Sequence, residues 1–257
     1  MDKSFWKSIQ ANDYAIPNGF TAALLTPELL SYLGSPDPEL REPIAKLGGN
    51  LSLGIREDGN DSIFLRSYSA LLLAEMVNYD NKHPYLGEAE VRMLRLQALA
   101  YLGAEQDERG YIPGKGWAHA CAHTADWLTV LARSRHIGAA DLERILKGIS
   151  AKTLAISNPV HIHDEDEWLV NTVSEVLKRE MLTEECLSTW LDSLTHPASF
   201  IWEEAFLTEG GGHAYHNVKC FVRSLYLRLL KADPQSPHST ALLPKVKVTL
   251  QTISPWF

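Results

Sequence analysis

The sequence predicts an all-α fold: an α-α superhelix, a HEAT-like solenoid of about five helical pairs, filling residues 1–257 as a single helical-repeat domain. Three observations carry this expectation. Apolar residues recur at three- and four-residue intervals along most of the chain, the mark of helices with one buried face. Sustained period-two alternation bounded by hairpin turns is missing from the sequence. The helical stretches also come in pairs at intervals of roughly 40–50 residues, the period of two-helix repeats.

Ser4 to Ala11 is a short amphipathic stretch that runs into a loop at Ile16-Pro17-Asn18-Gly19. Thr26-Pro27-Glu28 opens the next helix with an N-cap hydroxyl, a proline at the first helical position and an early acid. Leu29, Leu30 and Leu33 form its apolar side, and Gly34-Ser35-Pro36 stops it. Asp37-Pro38-Glu39 repeats the start signal for a helix towards Leu47, after which Gly48-Gly49, Gly54 and Asp58-Gly59-Asn60 mark a loop region. The stretch from Leu29 to Arg41 resembles the inter-helix turn of a HEAT repeat.

Longer helices follow at Phe64 to Tyr79 and Glu88 to Gly103, then a loop from Asp107 to Gly116 with three glycines and Pro113. Further helices are expected from Trp117 to about Arg135, from Asp141 to Ala155, from the acidic run at Asp164 to Glu180, and from a Thr183 cap to Leu194. Phe200 to Phe206 reads as a short strand or half-helix, and Gly210-Gly211-Gly212 as a loop. Val218 to Lys231 and Ala241 to Ile253 complete the set. Phe64-Leu65-Arg66-Ser67 recurs as Phe221-Val222-Arg223-Ser224, an echo expected in the early turns of two equivalent helices.

Composition narrows the function classes. With 45% hydrophobic and 22% charged residues the chain has material for a sizeable core. A net charge of −8 and the lack of any clustered Lys/Arg block argue against nucleic acid as a partner. No apolar run reaches the roughly 18 residues of a membrane span, and no apolar stretch follows the basic start of the chain. Cys121, Cys186 and Cys220 are widely spaced within helical patterns, which suits reduced, core-packed thiols and a cytoplasmic location.

The sharpest chemical signal lies in the helix expected from Trp117. At about 100° per residue, Ala120, Cys121, Thr124, Trp127, Leu128 and Leu131 form a broad apolar face. His119, His123 and Asp126 form a narrow stripe opposite, and Cys121 points into the core. Two imidazoles and a carboxylate at this spacing suit a divalent metal site with an open position for water, a general base oriented by Asp126, or a solvated face with a His–Asp hydrogen bond. A zincin-type peptidase is excluded, because the position of its general-base glutamate is Ala120.

Arg66 and Arg223 interrupt apolar helical stretches. Either they line the same groove and clamp a small anionic ligand, or they pair with Glu75, Asp126 or another acid to fix helix packing. Tyr111, Lys115 and Trp117 precede the His119 helix as a lid or aromatic contact, or as a staple for the helix start. His161-Ile162-His163-Asp164 reads as the acidic entry to a helix, since the metallo-hydrolase pattern it superficially matches belongs after a strand. His213 and His216, in a glycine-rich loop, are the best-placed source of additional ligands to the groove. Phosphate-loop, dinucleotide and nucleophile-elbow motifs are absent from the sequence.

Several of these residues together carry a resemblance. Arg66-Ser67-Tyr68-Ser69-Ala70-Leu71, Arg109-Gly110-Tyr111-Ile112, Gly116-Trp117-Ala118-His119-Ala120, His123 with Asp126, and Asn217-Val218 leading into Arg223-Ser224-Leu225-Tyr226 are similar to the signature of a bacterial domain-of-unknown-function family, number 2785. The similarity runs from about the Leu29 helix to the Leu230 helix, with Trp-Ala-His its most specific block. It implies an all-α, HEAT-like architecture in bacterial cytoplasm, and no activity.

The expected function is a non-enzymatic scaffold or binding module, without a cofactor. Its polar groove would be formed by His119, His123, Asp126, Arg66, Arg223, Lys115 and Trp117 and serve a protein partner or a small anionic ligand. The rival expectation is a small-molecule enzyme, a metal-dependent hydrolase built on the same His/His/Asp stripe.

Overall fold

The helical periodicities become real elements throughout the computed structural model, which describes residues 5, 8, 12, 17–20, 46–197, 202–232 and 237–254. A helical turn at 46–50 precedes α1 (Ser62–Lys82) and α2 (Glu88–Ala104). A two-stranded antiparallel hairpin, β1 (Tyr111–Ile112) and β2 (Gly116–Trp117), leads into α3 (Ala120–Ala132) and α4 (Ala139–Thr153). Then come α5 (Glu165–Lys178), α6 (Glu184–Thr195), a 3-10 turn at Trp202–Leu207, α7 (Glu209–Leu230) and α8 (Pro237–Ile253). The protein is all-α, with that hairpin the exception among the described residues. None of its described helices is long and apolar enough to cross a membrane. The helices and HEAT-like turn expected between Thr26 and Leu47 lie largely outside the described residues, as does most of the expected Ser4 to Ala11 helix.

Packing sorts the helices into two rows. In the first, α1 packs on α3, α3 on α5 and α5 on α7; in the second, α2 packs on α4, α4 on α6 and α6 on α8. The core lies between the rows, where Leu94, Leu128, Leu142, Ile145, Leu169, Val173 and Phe221 are wholly buried. Polar ties at some helix ends reinforce the rows by satisfying backbone groups there. Arg179 donates to the carbonyls of Ala132, Ser134 and Ile137. Buried Asp80 accepts from the backbone N–H groups of Tyr85 and Leu86 and pairs with Arg135 at 2.7 Å. Thr183 caps α6 as its sequence predicts, its hydroxyl accepting from Cys186 N at 3.1 Å.

Three expectations are corrected. The helix containing Cys121 starts at Ala120, not Trp117: residues 111–117 pair as a hairpin, with Tyr111 opposite Trp117 and Ile112 opposite Gly116. Pro113-Gly114-Lys115 makes the turn, with Gly114 at φ +77°.

Gly210-Gly211-Gly212 is not a loop but the first turn of α7. A Cβ on Gly210 would meet the Ile156 carbonyl oxygen at 2.1 Å, and one on Gly211 the Ala205 oxygen at 2.1 Å. These glycines serve close backbone approach, and the Thr208 hydroxyl, accepting from Gly211 N, supplies the cap they lack.

The Phe-x-Arg-Ser echo is not a structural repeat. Arg66 lies in the second turn of α1 and is wholly buried, whereas Arg223 lies deep in α7 and is exposed.

Candidate functional site

Helix α3 is enclosed by its neighbours on nearly every side. All of its residues are buried except His123 and Asp126, which look out from the first row of helices between α1 and α5. His123 Nδ1 lies 3.2 Å from the Ser67 carbonyl. A carbonyl only accepts, so Nδ1 carries the proton and Nε2 is left as the free lone pair. The Tyr68 ring stands edge-on to this imidazole at 5.2 Å. Burial, with the nearby His119, lowers the His123 pKa to about 4, against a weaker opposing effect of the Ser67 hydrogen bond. Asp126 moves the other way: burial and the neighbouring Glu75 carboxylate raise it to about 6. Asp126 lines a cleft of about 540 Å³ with Glu75, Trp168, Asn171, Arg133 and Arg228.

His119 is not part of a helical stripe. It precedes α3 in the left-handed region at φ 49°, ψ 42°, a strained conformation for a side chain of this size. The turn carries its ring to Trp117 at 4.3 Å, where it joins an aromatic group at the hairpin. Tyr111 and His163 approach the same indole edge-on at 5.2 and 5.5 Å. His163 fits there because Gly110 has no side chain: a Cβ at Gly110 would lie 2.0 Å from the His163 ring. The His119 and His123 rings remain 6.1 Å apart. Burial lowers the pKa of His119 as well.

These positions decide how the sequence-predicted residues relate. His119, His123 and Asp126 do not gather into a close set of metal donors; among the described residues, the groups brought within 4.8 Å of one another are Glu108, Cys121 and His161. The left-handed turn at His119 is the reason, since it removes that ring from the helical register of the other two.

Arg66 is not available to a ligand. Its guanidinium is spent on Glu105 at 2.6 and 3.1 Å, on the carbonyls of Leu53 and Gly54, and on the Ser62 hydroxyl. Arg223 is exposed on α7, Lys115 pairs with Asp61 at 2.5 Å, and Trp117 sits half-exposed on β2. His213 is on α7, with Nδ1 3.2 Å from the Asn158 carbonyl, and is not in a loop reaching the His119 groove.

The sequence pattern does not single out Glu108 or Lys152, and it gives His161 only as part of a helix entry. The acidic entry to α5 is as expected, with Asp164 at the N-cap and Glu165, Asp166 and Glu167 in the first turn; just before it, the extended His161-Ile162-His163 turns Ile162 out, 73% exposed, and buries His161.

An all-α protein with an imidazole- and carboxylate-lined outlook on its first helical row is what fold and site together define. The chain matches, over residues 51–227, the model of the family described as "Protein of unknown function (DUF2785)", and it belongs to that family. No curated protein and no solved structure matches it.

The two shifted groups on α3 make opposite demands as pH falls. The unfolded chain protonates His123 near 6.5, but the folded chain only near 4, so stability drops on acidification through that window. Asp126 keeps its proton up to about 6 when folded and only to about 3.8 when unfolded, so its contribution is lost as pH rises through 6 and regained on acidification. Each full shift corresponds to about 3 kcal/mol, and partial exposure reduces this to about 1–2 kcal/mol. Urea midpoints measured from pH 7 to 4 should therefore fall more steeply for Asp126→Asn than for the wild type, and less steeply for His123→Gln. Parallel curves for all three proteins would refute the opposed titrations.

Proposed function

We propose that this protein is a cytoplasmic helical-repeat binding module, an α-α superhelix of the HEAT-like kind, that takes a small anionic ligand in the cleft floored by Asp126. The two rows of successive helices support the repeat reading, each row built from every second helix of the chain. The observation that carries the binding reading is the exposure pattern of α3. In a helix otherwise buried, Asp126 presents a carboxyl to the cleft, while the neighbouring half-buried His123 is held by the Ser67 carbonyl and the Tyr68 ring. Around Asp126, Trp168 and Asn171 supply an apolar wall and an amide, and Arg228 and Arg133 supply positive charge, Arg133 while paired with Glu175 at 2.9 Å. Asp126, protonated below about pH 6, donates a hydrogen bond to an anion in that state.

The test is a thermal-shift screen of small organic carboxylates and phosphates, with hits titrated by calorimetry against wild type, Arg228→Ala and His123→Ala/Asp126→Ala. Binding should be lost in the double variant and at least tenfold weaker in Arg228→Ala, with helical circular dichroism unchanged. Hits that bind all three alike, or a double variant that no longer folds, would mean the groups are structural.

A second reading, a small-molecule hydrolase, has one observation behind it. A carboxyl titrating near 6 beside a second carboxylate is the pattern of an acid/base pair.

A further inference from the structure

Behind the hairpin, three elements that are remote in sequence bring unlike donors together. Glu108 comes from the segment after α2, Cys121 from the first turn of α3 and His161 from the extended segment before α5. One carboxylate oxygen, one sulfur and one imidazole nitrogen lie within 4.8 Å of one another. Tetrahedral ligands on a zinc ion stand about 3.3–3.8 Å apart, given bond lengths of about 2.0–2.3 Å. Side-chain adjustments of about 1 Å therefore close the set.

A second, independent observation points to an occupant. His161 is only 7% exposed, and neither of its ring nitrogens has a hydrogen-bond partner. A buried imidazole left unpaired at both nitrogens forfeits its hydration without return. Glu108 Oε2 also lacks a hydrogen-bond partner, while Oε1 is paired with the Lys152 ammonium.

We propose that Glu108, Cys121 and His161 bind a zinc ion. The assignment is independent of the cleft at Asp126. A thiolate, an imidazole and a carboxylate together suit zinc, whereas magnesium and calcium select oxygen alone. Burial lowers the His161 pKa, against the pull of Glu108 and Glu165, which favours the neutral form that ligates. It also pushes the Cys121 thiol up, so the ion must draw that proton off: Cys–SH and Zn²⁺ give a Cys–S–Zn bond and a released proton. The surroundings favour a cation: the carboxylates of Glu108, Glu165 and Asp166 act on Cys121, against the single ammonium of Lys152. Glu108 also lines a cleft of about 750 Å³ shared with Asn158 and His163, which gives an ion its entry and a fourth ligand its space.

The experiment uses the full chain, stripped with chelator and titrated with Co²⁺ and then Zn²⁺. One Co²⁺ per chain should bind with a near-ultraviolet thiolate-to-cobalt band, and Zn²⁺ should displace it with release of one proton per ion in weak buffer. His161→Gln and Cys121→Ala should lose the band and at least 100-fold in affinity, while His119→Ala/His123→Ala keeps both. A folded wild type that shows no thiolate band and takes up no ion overturns the proposal, whatever the variants do. Uptake unchanged in His161→Gln overturns it equally.

Discussion

Replacing Arg66 with methionine is expected to destabilise the protein by about 3–5 kcal/mol, a large part of the total for a domain of ordinary stability. Arg66 is wholly buried and Glu105 is 3% exposed. The guanidinium grips the carboxylate with two nitrogens, and the same carboxylate accepts the backbone N–H groups of Gln106 and Asp107 at 3.1 Å each. Methionine fills much of the space but leaves the buried carboxylate without its two guanidinium bonds, the costly way to break such a pair, with Lys152 the cation that remains nearby. It also strips the Leu53 and Gly54 carbonyls of their donor. The double variant Arg66→Met/Glu105→Gln should recover about half of the loss, because the unpaired charge goes too. Arg223→Met, at an exposed site with the same local sequence, should stay within about 0.5 kcal/mol of wild type. Urea denaturation of the four proteins decides the matter. A loss below about 1 kcal/mol for Arg66→Met would mean that Glu105 is far better solvated than its burial indicates.

Leu128→Ala is expected to cost about 2–5 kcal/mol. Leu128 is wholly buried in the helix that touches α1, α2 and α5 at once, so surrounding atoms are pinned from three directions. Trp127 and Leu131 beside it are equally buried, as are the flanking Ala125 and Ala132. A site of this kind collapses little when methyl groups are removed, and the cavity term is then paid nearly in full. A thermal or urea midpoint close to wild type would show that α3 has more room around it than its burial suggests.

Much of the helical frame was legible in the sequence because burial imposes a period. The Glu88, Asp164 and Thr183 helices fall within two residues of their expected bounds, since an apolar stripe and a start signal agree at each. The faces of α3 were legible for the same reason: Trp127, Leu128 and Leu131 are inside and Asp126 looks out. What the pattern could not give is where a helix yields to something else. Seven residues from Tyr111 to Trp117 contain too little alternation to register as strands, and a left-handed histidine has no compositional mark. The three glycines of α7 misled because glycine signals freedom and crowding alike, and only the carbonyls of Ile156 and Ala205 tell them apart. The donors at Glu108, Cys121 and His161 escaped for a different reason. They are 13 and 40 residues apart in the chain, and their meeting depends on how three elements dock.

The reach of the polar ties has a bearing on how the polypeptide matures. Arg66 to Glu105 spans 39 residues, Asp80 to Arg135 spans 55, Lys152 to Glu105 spans 47 and Asn217 to Pro159 spans 58. Each partner is thus made about 2–12 seconds after its mate, at ordinary rates of synthesis of about 5–20 residues per second. A nascent chain can therefore pair its earlier buried charges while its last hundred residues are still unmade. Glu105 is neutralised by an arginine already synthesised, and Glu108 waits only for Lys152. Synthesis order and charge pairing run in the same direction, which shortens the time that a newborn chain spends with unpaired ions and bare apolar faces.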